Sequence, residues 1–415
     1  MNKWTRAAFC RFLASGVVSV LTPGLSLPLA AAGIACALPS SSRAEVTLLP
    51  SSSQIRYTGR FDLTNPDKPA FDWPACVIEA AFTGKSLTLL ISGGNNDFNV
   101  FIDGARLPNL VLKNGVANYP IASSLSPGAH RLRLTKRTEG SSGTSVFSGL
   151  MVDDDQGAAS LPPRPAHRIL FIGDSYSAGY GTEANTVSCG DKRPYDNADT
   201  AFGPLAARAL DAEYSVQAVS GIGMVHNYGD GSPQSAMPFP PYFDRTLFGN
   251  AQLKFDYSQW IPEVIIIALG NNDFSTAVKP SQEQYSSAYR AFHATVRAAY
   301  PQAQILCVAF GDDALQKTYI SAIVETLTQQ GDSRLHYFQM PSLAGNATGC
   351  DYHPGLAGQK KFAEALVPEI QKWLTPAVSL VSGTPRKHPL HRQGESGPFD
   401  LLGRLLTLRE TRASP

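Results

Sequence analysis

The sequence predicts two domains of different classes, an all-β domain followed by an α/β domain with a parallel sheet. Residues 45–160 contain short strand-like runs separated by turn residues, and no segment there has the length and period of a helix. The segment LPPRPAH at 161–167 is rich in proline, which favours a stiff, extended linker. From residue 168 onward, strand-like and helical segments alternate, which is typical of a sheet covered by helices.

The first domain, 45–160, is predicted to be an antiparallel β-sandwich of the jelly-roll kind. Its runs alternate apolar and polar residues, as strands with one buried face do, and Gly, Asn, Pro and Asp separate them. The runs are SQIRYTGRFDL, VIEAAFTG, SLTLLISG, FNVFIDG, ANYPIA and HRLRLTKRT.

The second domain, 168–376, is predicted to have five parallel strands and four helices. The run EVIIIALG is continuously hydrophobic, as expected of a strand that is buried on both faces. The other strand-like runs are RILFIG, YSVQAVS, QILCVAF and LHYFQM, and the helices are expected near 200–211, 282–300, 315–330 and 356–374. In sheets of this kind the active site lies at the C-terminal ends of the strands.

The first 44 residues are typical of an export signal. Positive residues precede an apolar stretch at about 12–38, and the small residue Ala44 suits cleavage before Glu45. The length of the stretch also leaves an N-terminal membrane anchor open, and Cys36 leaves a lipoprotein form open. We expect a mature protein that begins at Glu45, has no membrane span and is secreted or periplasmic.

Composition excludes some classes of partner. The chain is 43% hydrophobic and 17% charged with a formal net charge of +1, so nothing favours binding to nucleic acid or to an anionic membrane. The segment 377–415 is rich in Pro, Gly, Ser, Arg and His and is predicted to be a disordered tail. We expect a monomer.

Four cysteines remain after the predicted signal is removed, and export permits disulfides between them. Cys307 lies within an apolar strand-like run and is expected to be a buried free thiol. Cys189 and Cys350 lie in loops beside the motifs described next, and we predict that they form a disulfide. No pair of cysteines has the spacing of zinc ligands.

The candidate nucleophile is Ser175, in the segment FIGDSYSAGYG that includes the end of the first parallel strand. A hydroxyl at such a turn can rise above the sheet, while glycines leave main-chain N–H groups free around it. The spacing differs from the Gly-x-Ser-x-Gly elbow of α/β-hydrolases. The alternative is that Asp174 or Ser175 only caps a following helix.

The candidate base is His353, in the segment GCDYHPG between the last strand and the last helix. It is the one histidine of 8 that is placed at a βα junction with an aspartate, Asp351, two residues before it. An unperturbed imidazole titrates near ~6.5, so at neutral pH it can take the proton of Ser175 and later return it to the leaving group. Taken alone, a single histidine is more often structural.

Two further residues are candidates for stabilising charge on an ester oxygen. The N–H of Gly221, at the end of the second parallel strand, is one, although a turn glycine is the more common explanation. Asn272, in LGNND, can donate from its side-chain amide or can bond its own main chain in a turn. Because Ser175, Gly221, Asn272 and His353 each follow a strand of one sheet, their convergence favours a catalytic site.

The string GNNDF occurs twice, at 94–98 and at 270–274. The first copy lies between two strand-like runs of the β domain and is predicted to be a hairpin turn. The second copy lies on the catalytic edge, where Asp273 is expected to brace the loop. No repeat extends beyond these five residues, so duplication of a domain is not supported.

Over about 168–375 the blocks GDSYSAGYG and GNND resemble those of the SGNH (GDSL-like) hydrolase family. That family usually has an aspartate three residues before the histidine, where this chain has Cys350. The form GCDYHP resembles carbohydrate esterase family two, which also carries a jelly-roll domain before the hydrolase domain. The segment GRFDLTNPDKPAFDWPACVIEAAFTG and the junction PPRPAHRILFIGDS look like that family, so the resemblance covers about 55–375.

The resemblance implies a three-layer, flavodoxin-like hydrolase domain and a serine esterase that removes O-acetyl groups from polysaccharides or oligosaccharides such as xylan and glucomannan. It implies that Ser175 attacks, that His353 acts as base, and that the Ser175 N–H, Gly221 and Asn272 hold the oxyanion, with no metal or cofactor. A lipid esterase or lysophospholipase stays open as an alternative. So does a carbohydrate-binding protein with a degenerate hydrolase domain.

The two residues before His353 have two interpretations each. Asp351 either orients His353 as the acid of a triad, or leaves that task to a main-chain carbonyl so that the site is a dyad. Tyr352 either offers an aromatic face to a sugar ring or packs against the protein.

Overall fold

The structure is a computed structural model that describes residues 45–154, 159–311 and 313–374. The predicted signal peptide at 1–44 and the predicted tail at 377–415 lie outside the described residues. Within the described ranges, no helix has the length and apolar character needed to cross a membrane.

The first domain is built from antiparallel strands, as predicted. The strands are β1 (Val46–Leu48), β2 (Ile55–Thr58), β3 (Ala70–Phe71), β4 (Val77–Ser92), β5 (Asp97–Ile102), β6 (Ala105–Arg106), β7 (Leu110–Val111), β8 (Asn118–Ala122), β9 (Ala129–Lys136) and β10 (Ser145–Asp154). Neighbouring strands along the central path of the sheet are β1-β10-β4-β9-β5-β6, and β2, β3, β7 and β8 pair to the side of this path.

Two strands of this domain differ from the prediction. β4 is continuous where two strands were expected, because Gly84, with a φ of 126°, lies inside the strand and does not end it. The half before Gly84 pairs with β2 and β9, and the half after it pairs with β8. β10 was not predicted, because a register shift between Phe147 and Gly149 interrupts its alternation of apolar and polar residues.

The second domain contains a five-stranded parallel sheet. The strands are β11 (His167–Gly173), β12 (Ala212–Ala218), β13 (Val264–Ala268), β14 (Gln304–Ala309) and β15 (Leu335–Gln339). Their order in the sheet, β12-β11-β13-β14-β15, is that of flavodoxin-like sheets. The helices are α1 (Ser175–Ala178), α2 (Phe202–Ala209), α3 (Asn271–Phe274), α4 (Gln282–Ala299), α5 (Ala314–Gln329) and α6 (Leu356–Gln371). The five predicted strands and four predicted helices are confirmed, and the first of these helices, α2, is shorter than the predicted range of 200–211.

Helices cover both faces of this sheet, so the domain has three layers. Ile169 and Phe171 of β11 share one hydrophobic cluster with residues of α2 and α6. Leu170 and Ile172, which point to the opposite face, share the other cluster with residues of α4 and α5. All five residues of β13 are buried, which confirms the central strand that the run EVIIIALG predicted.

Buried polar contacts join the two domains. Arg60, which is 2% exposed, donates to the carbonyl oxygens of Phe243 and Arg245, each at 2.6 Å. Asp97, in the first copy of GNNDF, accepts a bond of 2.6 Å from Arg193 of the second domain. The first copy therefore forms a turn between two strands and also contributes to the domain interface. The predicted hairpin is wrong, because β9 lies between β4 and β5 in the sheet and these two strands do not pair with each other.

Candidate active site

Ser175 lies where the end of β11 meets the first turn of α1. The carboxylate of Asp174 caps this short helix by accepting a bond of 3.1 Å from the N–H of Tyr176. The capping role predicted as an alternative therefore belongs to Asp174, and it leaves the hydroxyl of Ser175 free to line a cavity. Burial raises the pKa of Asp174 to about 7, although the hydrogen bonds it accepts from Tyr176 and Asn271 oppose the rise.

His353 lies within hydrogen-bond distance of the nucleophile candidate. Its Nε2 is 2.8 Å from Oγ of Ser175. Its Nδ1 is 2.9 Å from the carbonyl oxygen of Cys350 and 3.2 Å from that of Asp351. Since carbonyl oxygens can only accept, Nδ1 carries the hydrogen and Nε2 presents its lone pair to the Ser175 hydroxyl. This is the tautomer that a general base needs.

The pKa of His353 is lower than that of a free imidazole. Burial is the main cause, because it disfavours the charged ring, and the carbonyls of Cys350 and Asp351 offset only part of this effect. The ring is therefore neutral at neutral pH and ready to accept a proton.

The carboxylate of Asp351 contacts Tyr180, with a bond of 2.6 Å from the Tyr180 hydroxyl, and is not placed on His353. Asp351 has a φ of 51°, and this left-handed turn two residues before His353 directs the side chain away from Nδ1. The prediction that this carboxylate orients His353 is therefore wrong, and the main-chain carbonyl of the alternative prediction takes that place. Tyr180 completes the arrangement, since its ring stacks on the imidazole at a centroid distance of 4.2 Å.

The loop that carries His353 is tied to the loop that follows α1. A disulfide joins Cys189 to Cys350, as predicted, and the N–H of Cys350 donates to the carbonyl of Gly181 at 3.2 Å. The carbonyl that accepts from His353 therefore belongs to a cross-linked residue. Cys307 is a buried free thiol, which confirms the other prediction about the cysteines.

The two oxyanion candidates face the same cavity as Ser175 and His353. Gly221 follows β12 with a φ of 77°, a left-handed conformation that glycine adopts without strain. Asn272, at 6% exposure, donates from Nδ2 to the carbonyl of Ile222 at 3.1 Å, and its amide nitrogen carries a second hydrogen. The structure therefore brings together all four residues that the strand ends predicted.

Asp273 braces the loop between these two candidates, as predicted. Its buried carboxylate accepts hydrogen bonds of 2.7–2.9 Å from main-chain N–H groups in the loop that follows β12. The donors are the N–H groups of Met224, Val225 and His226. Burial raises the pKa of Asp273, and these three bonds oppose that rise.

The cavity above Ser175 has a volume of about 690 Å³. Its lining includes two tyrosines that are mostly exposed, Tyr228 at 65% and Tyr352 at 70%. Sequence reasoning missed Tyr228, which lies in a long loop without a motif, and Tyr180, which stands five residues after Ser175 inside the nucleophile segment. The remaining lining residues are Tyr176, Ser220, Asn271, Ser275, Phe310, Gly311, Asp313, Leu343, Asp351 and Phe362.

A metal site is absent from the described part of the chain: within 45–154, 159–311 and 313–374, no group of three or more His, Cys, Asp or Glu residues has the arrangement of metal ligands.

Two family models match this chain, one in each domain. The model described as "Carbohydrate esterase 2 N-terminal" matches residues 57–162. The model described as "GDSL-like Lipase/Acylhydrolase family" matches residues 171–361.

Two curated relatives have similar sequences. Cellulase/esterase CelE of Acetivibrio thermocellus is 33% identical over 328 residues, which are 77% of this chain and 39% of that protein. This chain therefore spans well under half the length of CelE. An acetylxylan esterase / glucomannan deacetylase of Cellvibrio japonicus is 33% identical over 320 residues, which are 74% of this chain and 86% of the relative.

A solved structure has the same fold across both domains. A family two carbohydrate esterase from Clostridium thermocellum, in complex with cellohexaose, is 31% identical with a TM-score of 0.71. The match covers 77% of this chain and 100% of that one. This chain belongs to carbohydrate esterase family two, a group of ester hydrolases whose second domain is of the GDSL type.

Proposed function

We propose that this protein is a serine carbohydrate esterase that removes O-acetyl groups from polysaccharides or oligosaccharides such as xylan and glucomannan. The observation that carries the proposal is the contact of 2.8 Å between Oγ of Ser175 and Nε2 of His353, in a cavity that Gly221 and Asn272 also line. The names of the relatives support the class of substrate.

The reaction begins with attack of the Ser175 oxygen on the acetyl carbonyl carbon. As the C–O bond forms, His353 takes the hydroxyl proton on Nε2 and becomes an imidazolium. The Nδ1 hydrogen keeps its bonds to the carbonyls of Cys350 and Asp351, so the ring does not rotate while its charge changes. The negative charge moves to the former carbonyl oxygen.

That oxyanion is held by hydrogen-bond donors of residues that line the same cavity. We assign this task to the N–H groups of Ser175 and Gly221 and to the side-chain amide of Asn272. Fixed donors of this kind act on the charge that develops in the transition state, and loss of one costs about 2.7–4 kcal/mol.

The tetrahedral intermediate then expels the sugar alkoxide, which receives the proton from His353 and leaves as the free hydroxyl. A water molecule next attacks the acetyl-serine, again losing its proton to Nε2, and acetate is released as Ser175 recovers its hydrogen. As proposed, the cycle runs on Ser175, His353 and the oxyanion donors alone. The orienting group is the main-chain carbonyl of Cys350, so the site acts as a dyad.

Two exposed aromatic side chains support a sugar as the substrate. Tyr228 and Tyr352 line the cavity while remaining mostly exposed, which leaves their ring faces free to pack on the apolar face of a pyranose. We assign a substrate-binding role to both. We also propose that the antiparallel first domain is a jelly roll, as the match to the family's N-terminal model supports.

We further propose that the protein is exported, to the periplasm or to the medium. A disulfide beside the catalytic histidine supports an oxidising compartment. The test is the mass of the mature protein, which should begin at Glu45. A mature protein that retains the first 44 residues would refute cleavage.

The function is tested by comparing wild type with Ser175→Ala on acetylated xylan, acetylated glucomannan and p-nitrophenyl esters of increasing chain length. We expect acetate release from the polysaccharides by wild type and its abolition in Ser175→Ala, whose fold is checked by circular dichroism. Substantial activity in the variant would refute the nucleophile. A preference for long acyl chains would instead favour the lipid esterase, and an inert but glycan-binding wild type would favour the binding protein.

A further inference from the structure

A buried carboxylate from the first domain lies behind the candidate active site. Glu139 follows β9, is 6% exposed and projects its side chain into the second domain. Its position is fixed from its own domain, because its main-chain carbonyl accepts a bond of 3.0 Å from the buried ammonium of Lys136. The reaction steps given above assign it no task.

One oxygen of Glu139 holds the loop that carries the Gly221 N–H. Oε2 accepts a bond of 2.6 Å from the N–H of Ser220. The preceding residue, Val219, donates to the carbonyl of Gly173 at 3.3 Å, so two consecutive peptide groups are fixed. The next peptide group along the chain carries the Gly221 N–H, and its direction therefore depends on these anchors.

The other oxygen of Glu139 reaches the side of the site where His353 lies. Oε1 is 3.3 Å from Nζ of Lys192, which also donates to Asp196 at 2.6 Å. The same ammonium lies 4.4 Å from the centre of the Tyr180 ring. The Tyr180 ring in turn stacks on the imidazole of His353. The carboxylate of Glu139 is therefore linked both to the loop of Gly221 and to the ring of His353.

We propose that Glu139 is a positioning residue for the esterase reaction, which aligns the Gly221 N–H directly and the His353 ring through Lys192 and Tyr180. The first domain is then a part of the catalytic apparatus as well as a neighbour of it. This inference rests on the proposed function and adds to it a residue from outside the hydrolase domain.

A charged carboxylate suits this position better than a neutral side chain. Bonds from N–H groups to a carboxylate are shorter and stronger than neutral ones, and burial strengthens them further. Without Glu139 the N–H of Ser220 loses its acceptor, and Lys192 keeps one carboxylate partner, Asp196. Both losses fall on groups next to catalytic atoms.

The chain offers a matched control in Asp72, another buried carboxylate of the first domain. It accepts bonds from the N–H groups of Phe248 and Gly249 at 2.8 and 3.1 Å, so it makes the same kind of contact between the domains. Neither Phe248 nor Gly249 lines the cavity. A general weakening of the domain interface should therefore appear in Asp72→Asn as well as in Glu139 variants.

The experiment measures kcat and KM for p-nitrophenyl acetate in wild type, Glu139→Gln, Glu139→Ala and Asp72→Asn, well below the melting temperature of each. Because a displacement of about 1 Å can cost ~10²-fold in rate, we expect kcat to fall about tenfold in Glu139→Gln and up to about a hundredfold in Glu139→Ala. KM should stay within about twofold, since Glu139 does not line the cavity. Asp72→Asn should keep kcat within about twofold even if it melts earlier.

Two results would overturn the inference: unchanged kcat in the Glu139 variants, or an equal loss of kcat in Asp72→Asn. If Glu139→Ala does not fold, Glu139→Gln decides alone, because it preserves the shape of the side chain. A wild type inert toward acetyl esters would refute the proposed function. An active wild type with unaffected Glu139 variants would refute this inference alone.

Discussion

Replacement of Asp351 by asparagine separates a dyad from a triad. Where a carboxylate holds the catalytic imidazole, its conversion to an amide lowers kcat by about 10⁴-fold although the geometry is kept. Here the Nδ1 of His353 bonds the carbonyl oxygen of Cys350 at 2.9 Å, and the carboxylate of Asp351 bonds Tyr180 at 2.6 Å. Asp351→Asn leaves the main-chain support of the imidazole unchanged.

The size of the effect can be worked from the one contact that changes. A hydrogen bond to a charged group contributes about 1.5–3 kcal/mol, and one to a neutral group about 0.5–1.5 kcal/mol. The difference, about 1–1.5 kcal/mol, corresponds to roughly tenfold if all of it reached the transition state. Asp351 is exposed, so water replaces part of the lost interaction. We therefore expect kcat to fall only about two- to fivefold.

The same substitution should move the pH dependence in a defined direction. The negative charge of Asp351 stabilises the imidazolium form of His353 and so raises its pKa, against the larger lowering by burial. Removing that charge makes the ring lose its proton more easily. The acid limb of kcat/KM should therefore shift to lower pH.

The assay is kcat and KM for p-nitrophenyl acetate across pH, with Tyr180→Phe as the matched control because it removes the donor of the same hydrogen bond. Asp351→Asn weakens this bond and Tyr180→Phe removes it, so the double variant should lose little more kcat than Tyr180→Phe alone. A fall of 10³-fold or more in folded Asp351→Asn would refute main-chain orientation and restore Asp351 as the acid of a triad.

Three further outcomes are expected. Asn272→Ala should lower kcat about 10²–10³-fold with little change in KM, because an oxyanion donor acts on the transition state; a raised KM at unchanged kcat would contradict that role. Burial lowers the pKa of His353, so wild-type kcat/KM should fall at acid pH with an apparent pKa below about 6.5. An apparent pKa above that value would exclude this imidazole as the titrating base. Cys189→Ser should lower the free energy of unfolding by about 2–5 kcal/mol and also reduce kcat, because it releases the loop of Cys350; an unchanged urea midpoint would contradict the first part.

The parallel sheet and its strand-end residues could be predicted because local patterns determine them. A strand buried on both faces must be apolar throughout, and β13 is. The residues that follow such strands meet at one edge of the sheet, so the sequence predicted that Ser175, Gly221, Asn272 and His353 lie together.

The two copies of GNNDF show where local patterns stop being informative. Asp97 of the first copy accepts a bond from Arg193 across the domain interface. Asp273 of the second copy braces a loop by accepting three main-chain bonds. The letters are identical, and the preceding strand alone predicted which copy lies at the active site. The partners of Asp97 come from a segment far away in the chain, which no local pattern reveals.

The misassigned role of Asp351 has a related cause. A carboxylate two residues before a histidine suggests a triad, but the direction of its side chain depends on backbone angles that composition does not determine. Asp351 and Tyr352 both have positive φ, at 51° and 61°. The residue before them, Cys350, is joined by a disulfide to Cys189. The turn that these features produce presents the carbonyl of Cys350 to the imidazole.

Orientation by a carbonyl has a consequence for the chemistry. Burial lowers the pKa of His353, and the carbonyl dipoles that accept from Nδ1 offset this lowering less than a full negative charge would. The base is then weaker but stays unprotonated at lower pH, so the ester hydrolase should remain active in mildly acidic surroundings. Because this electrostatic support is weaker, the rate depends more strongly on the correct position of the His353 imidazole. The disulfide at Cys350 and the stacked Tyr180 supply that geometry, and substitutions that loosen either should cost more in kcat than removal of the nearby charge on Asp351.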